Sequence, residues 1–276
     1  MKESKRTNRP FITVIMAAYN EKEKIVRAAI ESVLNQTYSN FELLIFDDST
    51  EETTKKAIDS YCSDSRVVIY RNARREGFVT SLNHGLAIAK GKYIARMDAV
   101  DIACRDRFEK QISYLDHHPK TDVLGGQVDI IDESGTKIGT RKYPLKGLKL
   151  KIFFCYRTPV AHPSVMFRRT IIDSGLKYNI NLKRAEDIDF WLRVHNAGYR
   201  IENLPDVIVK YRVGQDFIEK RVNNKEQENY VIRIRRDNFS RKHLVFSTVS
   251  WLMTYVRYYY PDKLKTRIYK KENSGK

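Results

Sequence analysis

The sequence predicts an α/β protein with a mostly parallel central sheet covered by helices on both faces. Three observations carry that reading. Short apolar runs rich in β-branched residues alternate with segments of helical periodicity through the N-terminal third of the chain. The runs are apolar at nearly every position, as in strands buried on both faces. Three of them end directly in polar or acidic clusters, at Tyr19–Glu21, Asp47–Asp48 and Asp98–Asp101. Parallel sheets bind their ligands beyond such carboxyl ends, near the reversal of strand order.

In chain order, Phe11–Ala17 is a strand, and Glu21–Asn35 is a helix with Ile25, Ala28, Ala29, Ser32 and Val33 on one face. Phe41–Phe46 is the second strand, Thr53–Cys62 a helix and Val67–Tyr70 the third strand. Ser81–Lys90 is a helix for which Gly91 is the expected C-cap, and Tyr93–Met97 is the fourth strand. Further on, Val123–Ile131 and Lys137–Tyr143 flank a polar turn at Asp132–Gly135. His162–Arg168 reads as a strand after a His-Pro turn, Ala185–His195 as a helix with acids at its start, and Val207–Tyr211 as a last strand. Neither common glycine-rich phosphate loop is present, which excludes an ordinary dinucleotide or P-loop fold.

The chain has 276 residues and a net charge of +17, of which residues 220–276 hold 15 Lys+Arg against 5 Asp+Glu. That segment is also aromatic, with Trp251, Tyr255, Tyr258, Tyr259, Tyr260 and Tyr269 among its cations. Three readings stay open for it: an anionic membrane surface, a helix packing its rings on the main domain, and nucleic acid. Nothing selects bases, so nucleic acid ranks last. No apolar run reaches the roughly 18 residues of a membrane span, and the N-terminus lacks the apolar centre of a signal peptide. Cys62, Cys104 and Cys155 are odd in number and widely spaced, which suits a reducing compartment. The expected organisation is a flexible lead over 1–10, a main domain over 11–218 and a basic helical extension over 219–276.

Five segments in order then resemble one family: TVIMAAYNE (Thr13–Glu21), SVLNQTYSNFELLIFDDST (Ser32–Thr50), SLNHGLAIAKGKYIARMDA (Ser81–Ala99), HPSVMFRR (His162–Arg169) and AEDIDFWLRV (Ala185–Val194). The chain resembles the family 2 inverting glycosyltransferases of the GT-A fold, bacterial enzymes that build capsules, O-antigens and other surface polysaccharides. The resemblance implies a nucleotide-diphosphate-sugar donor, often uridine-linked. It implies a nucleotide site at Ala18, Tyr19, Glu21, Asp47, Asp48, Asn83 and Asp98, with Asp48 on the base and Asp98 at the ribose and diphosphate. Asp187 resembles the catalytic base, with Glu186 orienting it. His162, Arg96, Arg212, Asp189 and Trp191 are the expected acceptor or diphosphate contacts. The implied partners are a glycan or lipid-linked acceptor and the inner face of the cell membrane; the implied location is cytoplasmic and peripheral to that membrane. A homodimer is a further expectation.

The chain departs from the pattern in two places. The family's Asp-X-Asp-Asp is here Asp98-Ala99-Val100-Asp101, and a histidine often found after the Tyr211-Arg212 pair is replaced by Gly214. Asp98 and Asp101 remain as candidate ligands for Mn²⁺ or Mg²⁺, ions that prefer carboxylate oxygens. Three readings are open: a weak metal site completed by the diphosphate, replacement of the metal by Arg75, Arg96 or Arg212, and a non-catalytic nucleotide-sugar-binding subunit.

Overall fold

The computed structural model describes residues 11–71, 74–214 and 225–273. The expected flexible lead over 1–10 and the expected boundary between 218 and 219 lie outside them. Strands β1 (Ile12–Ala18), β2 (Phe41–Asp47), β3 (Val67–Arg71) and β4 (Tyr93–Asp98) run parallel in the order β3-β2-β1-β4. Helices α1 (Glu23–Leu34), α2 (Glu52–Asp59) and α3 (Phe78–Ile88) connect them. Each strand and helix expected here is found, with its ends moved by a few residues. The chain steps outward from β1 to β3 and returns to the other side of β1 for β4, so the order reverses between β1 and β4.

Side chains alternate between two cores. Val14, Met16, Leu43 and Ile45 pack with Val26, Ile30 and Val33 of α1 and Ile58 of α2. Ile15, Leu44 and Phe46 face Leu82 and Leu86 of α3 on the opposite side. Both faces are dry, and this is why the strands read as unbroken apolar runs.

The second half is mixed rather than parallel. It comprises β5 (Ile102–Ala103), α4 (Arg107–His117), β6 (Val123–Ile131), β7 (Lys137–Arg141), α5 (Gly147–Phe154), β8 (Met166–Arg168), α6 (Thr170–Asp173), α7 (Glu186–Asn196) and β9 (Ile201–Arg212). The sheet continues β4-β8-β6-β9-β5, with β8 antiparallel to both neighbours and β7 alongside β6. The strand expected over 162–168 is shorter, because Pro163 opens a 3₁₀ turn at His162–Ser164 and only Met166–Arg168 pairs. The last strand is longer than expected. Pro205 masks its first half in the sequence but sits exposed at a slip in the β6–β9 register between Gly125 and Gln127, where no ladder hydrogen bond is lost.

Arg107 of α4, fully buried, donates to the carbonyls of Arg96 at 2.9 Å and Val165 at 3.2 Å, tying β4 to the segment before β8. Burial pulls its pKa down to about 9. The C-terminal region folds as α8 (Lys225–Asp237), α9 (Leu244–Tyr258) and α10 (Asp262–Asn273), confirming a helical extension.

Gly91 is not a C-cap. Helix α3 ends at Ile88 with Ala89 as its C-cap, and Gly91 lies against β1, where an added Cβ would stand 2.4 Å from the Thr13 backbone nitrogen. Its N–H donates to Thr13 Oγ1 at 2.9 Å. Gly91→Ala should therefore destabilise the fold by about 3 kcal/mol, the upper end for overpacking against backbone. Urea unfolding should show a lowered midpoint at unchanged slope.

Candidate active site

The site is built at the carboxyl edge of the parallel half, where β2, β1 and β4 end together: Ala18 pairs with Asp47 and Ala17 with Asp98. Asn20, at φ 57, spans the first two strand ends. Its Oδ1 accepts the N–H groups of Thr50 at 2.8 Å and Glu51 at 3.0 Å. Asn tolerates that left-handed conformation better than most residues. Glu21 accepts the Tyr19 N–H at 2.7 Å, and burial raises its carboxyl above the usual range, with Asp98 and Asp47 adding to the rise.

Asp47, the last residue of β2, and Asp48, just beyond it, have different tasks. Asp47 is buried and accepts from Arg71 Nη2 at 2.7 Å and Nε at 2.9 Å, and from the Ser49 N–H at 2.9 Å. Its oxygens hold the sheet edge together, which corrects its expected contact with a nucleotide. Asp48 accepts the Gly77 N–H at 2.8 Å and orders the loop before α3. From that loop Arg75 lies over the exposed Tyr19 ring at 3.8 Å.

Beyond this edge opens a cleft of about 1110 Å³ whose walls include Arg96, Asp98, His162, Glu186 and Asp187. Arg96 is 4% exposed, pairs with Asp98 and lies over the Phe78 ring at 5.2 Å; its Nε and Nη1 are buried with no partner among the described residues. Unpartnered buried donors are rare and costly. His162 Nε2 meets the Tyr178 hydroxyl at 2.8 Å, and burial, reinforced by Arg96, holds its pKa well below the ordinary histidine value. It is a neutral imidazole.

Glu186 and Asp187 open α7 immediately after Ala185, whose φ is 56. A left-handed alanine costs roughly 1–2 kcal/mol, and such strain persists where the surroundings over-determine it. Its effect is to set two carboxylates on the free amides of a helix N-terminus. The Ile188 N–H donates to Asp187 Oδ1 at 2.9 Å. Glu186 has its pKa pushed up to about 7 by burial and by the neighbouring Asp187 charge.

With this geometry the comparisons with known proteins agree. The glycosyl transferase family 2 sequence profile matches residues 13–176. The amylovoran biosynthesis glycosyltransferase AmsE of Erwinia amylovora is 31% identical over 270 residues, covering 95% of this chain and 99% of its own. The chain belongs to glycosyl transferase family 2. A second family relative, the Escherichia coli UDP-Glc:α-D-GlcNAc-diphosphoundecaprenol β-1,3-glucosyltransferase WfgD, is 28% identical over 75% of this chain and 79% of its own. The fold is that of GT-A glycosyltransferases. The crystal structure of S. aureus TarS residues 1–349 with UDP superposes with a TM-score of 0.69 at 18% identity, covering 90% of this chain and 71% of that one.

Within this family 2 fold, four residues expected at the acceptor or diphosphate or at the nucleotide lie elsewhere. Trp191 is fully buried between Phe167, Phe190 and His162 and does not reach the cleft, because the apolar face of α7 is turned to the core. Asp189 does not line the cleft; it pairs with Arg193 at 2.7 Å and accepts from Asn238 Nδ2 at 2.9 Å, tying α7 to the end of α8. Arg212 engages backbone through Nε and Nη1, donating to the carbonyls of Val100, Asp132 and Glu133, each at 2.9 Å. Asn83 is clamped to the Tyr178 backbone by hydrogen bonds of 2.9 and 2.8 Å. It reaches the site only through Tyr178, whose hydroxyl meets His162.

Asp101 also fails to line the cleft. It is fully buried, accepts the Arg212 N–H at 2.7 Å, and burial beside Asp98 raises its carboxyl well above the ordinary range. Of these two candidate ligands only Asp98 lines the cleft, and a buried guanidinium already engages it. Among the described residues no group of three or more His, Cys, Asp or Glu side chains is placed to hold a metal ion. Among the described residues the donor set does not make a site that holds Mn²⁺ or Mg²⁺ by protein oxygens alone; one or two carboxylates hold such ions only together with substrate phosphates.

Sequence reasoning missed the far wall of the cleft. Glu228 of α8, Thr254, Arg257 and Tyr258 of α9, and Tyr269 of α10 line it. No motif marks them; the alternation of rings and cations in that region was the one available signal.

The pKa of Glu186 generates a stability test. A carboxyl at about 7 in the folded chain and 4.5 unfolded keeps its proton in the native state between those values, so native stability falls as pH rises through that interval. Glu186→Gln should abolish that fall, stabilising the protein by up to ~3 kcal/mol at about pH 8 and by little at about pH 5. Denaturant midpoints of both proteins at the two pH values decide it.

Proposed function

We propose that the protein transfers a sugar from a uridine-diphosphate sugar to a hydroxyl of a glycan or lipid-linked glycan at the inner face of the cell membrane, inverting the anomeric carbon. The observation that carries this reading is that the acidic start of α7 and the Arg96–Asp98 pair open into one cleft next to the sheet edge. The UDP bound to TarS and the UDP-Glc in the name of WfgD support a uridine donor. The polysaccharide named for AmsE and the diphosphoundecaprenol named for WfgD support the acceptor class.

In this reading the nucleoside lies against Ala18 and Tyr19 with Asp48 facing the base, and the diphosphate lies beside Asp98 and Arg96. Asp187 takes the proton of the acceptor hydroxyl as that oxygen bonds to the anomeric carbon. The bond from that carbon to the diphosphate oxygen breaks, and the nucleoside diphosphate leaves with the electron pair. The positive charge of Arg96, close behind Asp98, offsets the negative charge that grows on the leaving diphosphate. His162, neutral, offers a hydrogen bond without adding charge. Arg75 and Tyr19 form the outer wall of the nucleoside site.

Asp187→Asn should lower kcat by about a thousandfold with little change in donor KM, the pattern of a lost general base. Calorimetric titration of UDP should give similar affinity with Mn²⁺ and with EDTA, and Arg96→Ala should weaken it by tenfold or more. Binding that requires Mn²⁺ would sink the assignment of charge neutralisation to Arg96. Val100 and Gly214, where the family often carries metal ligands, favour a second reading: a nucleotide-sugar-binding subunit without activity. UDP binding without turnover on any lipid-linked acceptor would support that reading instead.

A further inference from the structure

Helix α9 is amphipathic in the opposite sense to a helix on a soluble domain. Its small polar residues Ser247, Ser250 and Thr254 face the protein body. Its large apolar residues face away: Val245 is 78% exposed, Leu252 51%, Val256 47% and Tyr259 65%. The helix cannot simply roll over. Arg235 of α8 is 3% exposed and its guanidinium depends on Ser250 Oγ and on the Phe154 carbonyl, the latter at 2.9 Å. Ser247 Oγ accepts the Ser240 N–H at 3.0 Å. Turning the apolar face inward would take the Ser250 acceptor from a buried cation, leaving it the Phe154 and Arg157 carbonyls alone, and would break the Ser247–Ser240 contact.

We propose that this outward face of α9 docks the protein on an anionic lipid bilayer, lying in the plane of the interface. The inference rests on the membrane-facing acceptor proposed above and deepens it by naming the contact surface. Val245, Leu252 and Val256 enter the boundary between headgroups and acyl chains, and Tyr259 sits at headgroup depth. Arg241 and Lys242 before the helix and Lys263 and Arg267 after it are exposed and meet lipid phosphates. At 15 residues α9 is too short to span, and no helix among the described residues is long and apolar enough to cross a membrane. Charge decides between a bilayer and a second copy of the chain. A two-fold contact through α9 would oppose two segments that each hold 15 cations against 5 anions, whereas anionic lipid neutralises them. The same helix lines the cleft through Thr254, Arg257 and Tyr258, so a bilayer on its outer side brings a lipid-linked acceptor next to the opening.

The test is sedimentation of the full chain with vesicles of phosphatidylcholine and phosphatidylglycerol, two parts to one, against phosphatidylcholine alone. The wild type should bind the anionic vesicles, and Val245→Glu with Leu252→Glu should weaken binding by tenfold or more. Leu148→Glu with Ile180→Glu, at exposed apolar positions outside the tail, should leave it unchanged. Arg241→Gln with Lys242→Gln, which removes charge and no apolar contact, should weaken it severalfold and flatten its salt dependence. Thermal unfolding of each variant establishes that it folds. Equal binding by wild type and the α9 double variant overturns the proposal. So does a stable dimer that the same variant dissociates while vesicle binding is absent. The assay needs no donor and no turnover: a protein that binds vesicles but transfers no sugar sinks the transferase reading alone, and one that glycosylates a soluble acceptor but ignores vesicles sinks the docking alone.

Discussion

A guanidinium buried at the end of β4 organises the catalytic side of this molecule. Arg96 is taken out of water by Phe78 and the core beneath it, and a cation there stays folded only if carboxylates stand close by. Asp98 supplies the direct partner, and Arg96 also draws the pKa of Glu186 down against its burial. Burial holds the His162 pKa well below the ordinary value, and the same charge reinforces it. Arg107 secures the strand from below by holding the Arg96 carbonyl, so the position of the cation is set by backbone as well as by side chains. Removing one partner of such a buried pair typically costs about 3–5 kcal/mol, which ties the integrity of the site to that of the fold.

The arrangement divides labour between neighbouring acids. Asp47 and Asp48 are adjacent in sequence at the strand end; the first is neutralised by Arg71 within the sheet and the second orders the loop carrying Arg75. Glu186 and Asp187 are adjacent on a helix start and both line the cleft, where burial and the neighbouring Asp187 charge push the pKa of Glu186 up. Asp98 and Asp101 are separated by one turn of chain, and the second is sealed behind the first. In each pair the tertiary environment selects which carboxylate is chemically available.

The C-terminal helices are part of this architecture rather than an appendage to it. Asp189 reaches Asn238, Arg235 reaches the carbonyls of Phe154 and Arg157, and Lys265 of α10 pairs with Glu228 at 2.7 Å. These contacts close one side of the cleft and fix the rotation of α9, leaving its apolar side chains outside.

The parallel half of the fold was legible residue by residue, because strands dry on both faces and amphipathic helices leave periodicities that survive without context. So were the acidic strand ends and the acidic helix start, since their positions follow from where each element stops. The family was legible in five ordered motifs. What the sequence could not determine depends on partners distant in the chain. Pro205 disguised a strand that only the β6 register slip accommodates. Trp191, Asp189, Arg212 and Asn83 stood inside or beside motifs yet face the core or spend their hydrogen bonds on backbone far away in sequence. The direction in which α9 turns its apolar side was decided by Arg235, a residue of another helix: periodicity reveals that a helix has two faces, but only the hydrogen-bond needs of its neighbour determine which one is buried.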